Sequence, residues 1–332
     1  MRIARGERVP IMAALALSLS TGAGRAMAQV PDPALAGLAV RLAGMTAVTG
    51  YEQRMIDSLI ALVPGAARDR AGNAVVVLGA GSRRRLVACP VSEPGFIVGG
   101  VRPDGWMTLR RAPGRVSPLA ERQIEGQRVT VFGRRGAVPG VIGVRSIHLT
   151  RGRGAAAEGA FTVDSAYLDI GASSRAEVAG AGVSVLSPLA LARRPQRYGS
   201  DLLAAPMAAR RTACAALVLA ARRAVAERGM VPPGERVVIA FVVEQELGGR
   251  GLGTLANASG PFEETLVVDG APGGPGALVR GPDSLAARWP GLGAVTRWSL
   301  GARYPGTPVE TTSLGGADSL RGALAAWIGG RR

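Results

Sequence analysis

The stretch Arg236–Gly251, R-V-V-I-A-F-V-V-E-Q-E-L-G-G-R-G, constrains this chain more than any other. Seven apolar, largely β-branched residues, Val237 to Val243, run without a polar break into Glu244, Gln245 and Glu246, and a glycine-rich loop follows. A continuous apolar run of strand length reads as a strand covered on both faces, the pattern of a parallel sheet flanked by helices. Ligand sites of open α/β sheets lie at the carboxyl ends of such strands. Thr265-Leu266-Val267-Val268-Asp269 repeats the cue, a short apolar strand closing on a carboxylate. Glu246 and Asp269 on one rim point to a metal or acid/base site, or else to ordinary polar strand ends.

Around this pair the chain divides by texture. Pro31 to Val63 carries apolar residues at three- and four-residue intervals from Leu35 on, broken by a turn at Thr49-Gly50-Tyr51, and reads as helical. Asp69 to Asn73 is a turn into a strand at Ala74–Leu78, and Arg85 to Val91 reads as a second buried strand. From 101 to 191 strands become short, Gly and Pro recur, and helical periodicity is absent, which predicts a small β-rich unit inserted in an α/β chain. Helical texture returns at Ala208, and a short helix over Leu320–Ile328 closes the chain.

Composition narrows the function classes. The net charge is +16 and the chain holds no lysine, so all 40 basic residues are arginine. They are scattered, and aromatics make up only 4% of residues, so the stacking platforms and clustered basic stripe of a nucleic-acid binder are absent. Arg2, Arg5 and Arg8 precede an apolar run from Ile11 to Leu19, and Ala26-Met27-Ala28 supplies a small-x-small cleavage pattern. Residues 1–28 are therefore expected to be a secretory signal peptide, placing the mature chain in a bacterial periplasm or outside the cell, with no membrane span after its removal. In that compartment Cys89 and Cys214 are free to form a disulfide, although their apolar surroundings suit two buried thiols equally.

Seven phrases bear a further reading. Thr49-Gly50-Tyr51-Glu52, Asp69-x-x-Gly72-Asn73, Glu93-Pro94-Gly95-Phe96, Gly126-Gln127-Arg128-Val129, Gly140-Val141-Ile142-Gly143, Leu168-Asp169-Ile170-Gly171-Ala172 and Glu246-Leu247-Gly248-Gly249-Arg250-Gly251 stand in this order. In that collinear set the chain resembles the glutamyl/leucyl metallo-aminopeptidases that form tetrahedral assemblies. The resemblance implies a zinc-exopeptidase-like three-layer α/β domain with a mostly parallel central sheet (29–100 and 192–332) and an inserted, barrel-like oligomerisation domain (101–191). It also implies two co-catalytic zinc or cobalt ions and a homo-oligomer.

Carried over residue by residue, most of that active site fails. The family's first zinc-binding His falls on Pro90 and the Asp two residues later on Ser92; the metal-bridging Asp falls on Ala209, or on Ala208 if the register slips; the last His falls on Gly306. The general-base position holds Gln245, whose amide has no proton to exchange. Only Glu246 and Asp269 keep ligand chemistry, and the stretch from Asp269 to Gly306 is shorter than the family's. His148, the sole histidine, lies in the Gly-Val-Ile-Gly-x-x-x-x-His-Leu pattern of the insertion and reads as structural. The expectation is a degenerate, catalytically inactive pseudo-peptidase without bound metal, acting in the binding of a peptide or protein partner or in assembly. The alternative is an active aminopeptidase with a rearranged all-oxygen site drawing on Glu244, Glu246, Asp269, Glu93 or Asp201.

Overall fold

The computed structural model describes residues 31–112, 123–143, 161–227 and 229–331. The leader and His148 lie outside the described residues. Seven strands form the main sheet: β1 (Ala67–Arg68), β2 (Ala74–Leu78), β3 (Arg83–Pro90), β12 (Glu235–Val242), β13 (Glu264–Pro272), β14 (Leu278–Pro282) and β15 (Ala294–Ala302). Their order is β1-β2-β12-β3-β13-β15-β14. The central four, β12, β3, β13 and β15, are parallel, while β1, β2 and β14 run antiparallel at the flanks, so the sheet is mixed with a parallel centre.

The unbroken apolar run of β12 is explained by alternation between two covered faces. Val237, Ile239 and Phe241 pack into one core with α1 (Pro33–Ala43), α2 (Gln53–Leu62), α4 (Ala208–Ala226) and α7 (Leu314–Ile328). Val238, Ala240 and Val242 pack on the opposite side against Leu252, Leu255 and Ala256 of α5 (Arg250–Ser259) and Leu285 of α6 (Leu285–Arg288). The result is a three-layer α/β/α arrangement.

The second core belongs to a closed barrel of six strands. These are β4 (Phe96–Val101), β5 (Met107–Arg111), β6 (Arg128–Gly133), β7 (Gly136–Ile142), β8 (Tyr167–Asp169) and β9 (Pro188–Leu191), with the short helix α3 (Arg175–Gly180) before β9. Closure removes the free edges that short strands would otherwise expose. A small sheet of β10 (Gln196–Tyr198), β11 (Leu202–Ala204) and β16 (Thr311–Ser313) completes the fold.

Two local expectations change. The strand anticipated to continue through Val243 and Glu244 stops at Val242: Glu244 adopts a left-handed conformation (φ 54°) and Gln245–Leu247 form a 3-10 turn, so strand alternation does not orient Glu244 and Gln245. The closing helix begins at Leu314, six residues earlier than its apolar spacing suggests, because the Ser313 hydroxyl accepts from Gly316 N at 3.1 Å and caps a first turn that glycines conceal. Between Asp269 and Gly306 the chain builds β14, α6 and β15, and β15 pairs with β13 from Glu264↔Ala294 to Pro272↔Ala302.

Cys89 on β3 and Cys214 on α4 are joined in a disulfide spanning 125 residues of sequence. The bond itself answers the choice that sequence left open, and both residues are essentially inaccessible to solvent. Closing so long a loop restricts the unfolded chain, and the double variant Cys89→Ala/Cys214→Ala is expected to lose about 2–4 kcal/mol. Guanidinium denaturation of oxidised protein and variant measures the difference.

Candidate functional site

Pro94 after β3, Glu246 after β12, and Asp269 to Pro272 in the last part of β13, which runs on to Pro272 rather than closing on Asp269, line one cleft of ≈ 240 Å³. Arg210, Glu246, Asp269, Gly306 and Glu310 line it, with Pro94, Met207 and Ala302 among its apolar walls. Of the positions anticipated from sequence, Glu246, Asp269 and Gly306 line this cleft. Arg210, in the first turn of α4, extends its guanidinium between the two surviving carboxylates. Its Nε donates to Asp269 Oδ1 at 2.7 Å, and its Nη1 donates to Glu246 Oε1 at 3.0 Å and to the carbonyl oxygen of Ser92. A second guanidinium, Arg297 from β15, donates from Nη1 to the other oxygen of Asp269 at 2.6 Å and from Nε to Asp283.

The electrostatics follow from these contacts. Burial alone would raise the pKa of Asp269, which is 4% exposed, but the charges of Arg210 and Arg297 outweigh it and hold the carboxyl below its ordinary range. For Arg210 burial disfavours the cation, and Asp269 and Glu246 reverse that, raising its pKa above the ordinary guanidinium value. An arginine in the first turn of a helix faces the positive end of the helix dipole, an unfavourable place without anions nearby. Glu310 supplies another acceptor there: its Oε1 accepts from Ala209 N at 3.0 Å, capping α4 from a distant loop, and its Oε2 accepts from Gly306 N at 2.9 Å. Burial raises the Glu310 pKa against those two hydrogen bonds and the nearby Arg210. Gly270 permits the close approach of α4, since a Cβ there would lie 2.7 Å from that of Ala209.

Gln245 turns its backbone N–H to Ser92 Oγ at 3.0 Å, and Ser92 Oγ in turn donates to Glu52 Oε1 at 2.8 Å. Glu52 also accepts from Glu244 N at 2.9 Å, and burial raises its pKa. The side-chain carbonyl oxygen of Gln245 is buried without a hydrogen-bond partner. Pro90 ends β3 and Ser92 follows two residues later, and neither offers a metal-binding donor of the kind imidazole or carboxylate provides.

The other carboxylates considered from sequence lie elsewhere. Glu93 is buried between Arg193 and Arg211, accepting from Arg211 Nη2 at 2.7 Å and, through Oε1, from Ala47 N at 2.9 Å. Glu244 pairs with Arg250 at 3.4 Å, and Asp201 accepts from Ser313 Oγ. Among the described residues no group of three or more His, Cys, Asp and Glu side chains is placed to hold a metal ion. A metal pair does not fit this donor set. Glu246 and Asp269 already share a guanidinium, so a divalent ion would have to expel Arg210 from a buried site while gaining only two carboxylates.

Arg210 is the residue that sequence reasoning missed. Its signal was present in the stretch Ala208-Ala209-Arg210-Arg211, where two adjacent arginines open a helix that packs against the strand carrying Asp269.

A three-layer sheet carrying its site at the ends of β3, β12 and β13, with a closed barrel formed by 96–191, is the fold of aminopeptidases of known structure. The chain is similar to the Pyrococcus horikoshii TET1 peptidase, which assembles into a tetrahedron or a large octahedral shell, with a TM-score of 0.78 and 20% identity over 89% of this chain and 99% of that one. An aminopeptidase from the archaeon Desulfurococcus kamchatkensis gives a TM-score of 0.72 at 20% identity, covering 89% of this chain and 94% of the other. The model of the M42 glutamyl aminopeptidase family matches residues 72–282, and the chain belongs to that family. A putative aminopeptidase of Escherichia coli K12, SgcX, is 29% identical over 179 residues, 52% of this chain; the match spans about half the length of that relative, 46%.

Proposed function

We propose that this protein is a non-hydrolytic member of the M42 family, exported after loss of residues 1–28, which binds a peptide or protein partner in the cleft and assembles as a homo-oligomer. The single observation behind this reading is the guanidinium of Arg210 spanning Glu246 and Asp269. It supplies positive charge to the two carboxylates but has no vacant coordination position, so it neither activates water nor polarises a scissile carbonyl as a metal would. Gln245 at the base position has no means of taking a proton from water. What the cleft retains is shape, apolar wall and the carboxyl of Glu310, features suited to holding a ligand. The disulfide supports export, since such bonds persist in oxidising compartments. The oligomeric solved relatives support assembly.

Metal analysis after incubation with zinc, cobalt or manganese, combined with hydrolysis of leucyl and glutamyl anilides, tests the reading. The expected result is no stoichiometric metal and no turnover above the uncatalysed rate. Two ions per chain, with turnover abolished in Glu246→Ala, would overturn it and restore an active peptidase.

A further inference from the structure

A groove of ≈ 400 Å³ runs between the start of α2 and the barrel, and a hollow of ≈ 340 Å³ continues it, with Thr46, Arg54 and Phe132 lining both. Neither shares a lining residue with the cleft. Tyr51, Val185 and Leu186 form part of the groove wall, yet they remain 41%, 51% and 59% exposed. Single apolar residues on a surface are ordinary, but three along one concave site make a patch of the kind that marks an interaction surface.

Leu186 carries the sharper signal. Its backbone is left-handed, with φ 69°, a conformation that is costly for a residue with a bulky side chain. It is held there from both ends: its N–H donates to the carbonyl oxygen of Val98 at 2.9 Å, and its own carbonyl oxygen accepts from the Tyr51 hydroxyl at 3.1 Å. Glycine or asparagine would take this turn at lower cost, and the leucine gains little in return, because more than half of it stays in water. A residue that strains its backbone without burying its side chain suits a contact that the isolated chain does not make.

Charge names the partner. Arg54 and Arg134 line the groove, and among the described residues no Asp or Glu lines either hollow. The acids near Arg54 in sequence are engaged elsewhere: Glu52 is buried with Ser92 Oγ and Glu244 N, and Asp57 pairs with Arg68. The Arg54 guanidinium lies over the Phe132 ring, 5.7 Å from its centroid, a stack that fixes its plane and leaves its N–H edge to receive a carboxylate. A nucleic acid would need open aromatic faces for its bases, whereas Phe132 lies beneath Arg54 and the exposed wall is largely aliphatic. A second copy of this chain is the poorer occupant, since it brings the same net charge of +16.

We infer that this groove docks an acidic protein segment: an apolar side chain of the partner packs against Tyr51, Val185 and Leu186, and carboxylates beside it pair with Arg54 and Arg134. The site is separate from the cleft and does not rest on what the cleft binds.

Fluorescence anisotropy of the full mature chain with a labelled peptide, Glu-Glu-Leu-Glu-Glu flanked by glycines, tests the surface, beside counterparts with Ser for Leu or Gln for every Glu. The leucine peptide is expected to bind about tenfold more tightly than either counterpart, and added salt should weaken it. Arg54→Glu/Arg134→Glu should reduce its affinity about a hundredfold. Leu186→Asn should reduce it about tenfold while the melting temperature holds or rises, because asparagine accepts a left-handed backbone. A leucine kept only for the fold would do the opposite, lowering the melting temperature and leaving affinity unchanged, and that result would overturn the proposal. So would no binding of the leucine peptide, equal binding of the serine peptide, or indifference to the arginine reversals. Tighter binding of a single-stranded oligonucleotide or of anionic lipid vesicles than of any peptide would overturn it as well.

Discussion

Replacing Arg210 with alanine is expected to destabilise the protein by about 3–5 kcal/mol at neutral pH, the loss that follows when one side of a buried ion pair is removed and the other stays charged. Glu246 would lose its cation outright, and Asp269 would keep only Arg297. The sign with pH is fixed by the direction of the Asp269 shift. Its folded pKa lies below the unfolded value of ~3.9, so wild-type protein holds the stabilisation above that value and loses it as pH falls through the folded pKa. In Arg210→Ala the Asp269 carboxylate, with one cation fewer, takes up a proton more readily, so the deficit against wild type is greatest near pH 7 and shrinks as pH falls through the carboxylate range. Urea denaturation of both proteins at pH 7 and pH 4 measures it. A deficit below about 1 kcal/mol at pH 7, the scale of a surface pair, would show that the carboxylates do not depend on this guanidinium.

Glu93→Gln is expected to cost a similar ~3–5 kcal/mol, for the opposite reason: it strands two buried cations. Glu93, 1% exposed, receives Arg193 and Arg211 on one carboxylate oxygen and Ala47 N on the other. Burial would raise its pKa, and the two guanidiniums more than reverse that. Arg211 is already strained in its charge: burial pushes its pKa down, Glu93 pushes back, and Arg193 and Arg210 repel it, leaving it at about 10. Without Glu93 nothing offsets those repulsions. Because Arg193 follows the last barrel strand, Arg211 belongs to α4 and Ala47 to the loop between α1 and α2, the substitution also loosens the join between barrel and sheet. Faster limited proteolysis alongside the lower melting temperature is the expected signature. Unchanged proteolysis would confine the role of Glu93 to local stability.

Both predictions concern arginines, and they expose how differently fold and site are written in the chain. The run Val237–Val243, the strand ending on Asp269 and the change of texture after 101 made the α/β layers and the inserted barrel legible, because burial on two faces or one imposes a periodicity that survives in one dimension. Strand β15 was not legible. Its Thr296, Arg297, Trp298 and Ser299 break the apolar run, since this strand carries an ion-pairing side chain toward Asp269 and Asp283.

The sequence alone determined which side-chain chemistry these positions can offer. Pro90, Ala209, Gln245 and Gly306 lack the donor atoms or titratable proton that a dinuclear hydrolytic centre requires, and no folding can supply them. Only the tertiary structure decided what stands in their place. The partners of Glu246 and Asp269 come from α4 and β15, separated from them in sequence and brought near by the sheet order, and whether an arginine faces solvent or two buried acids is a matter of distance in space.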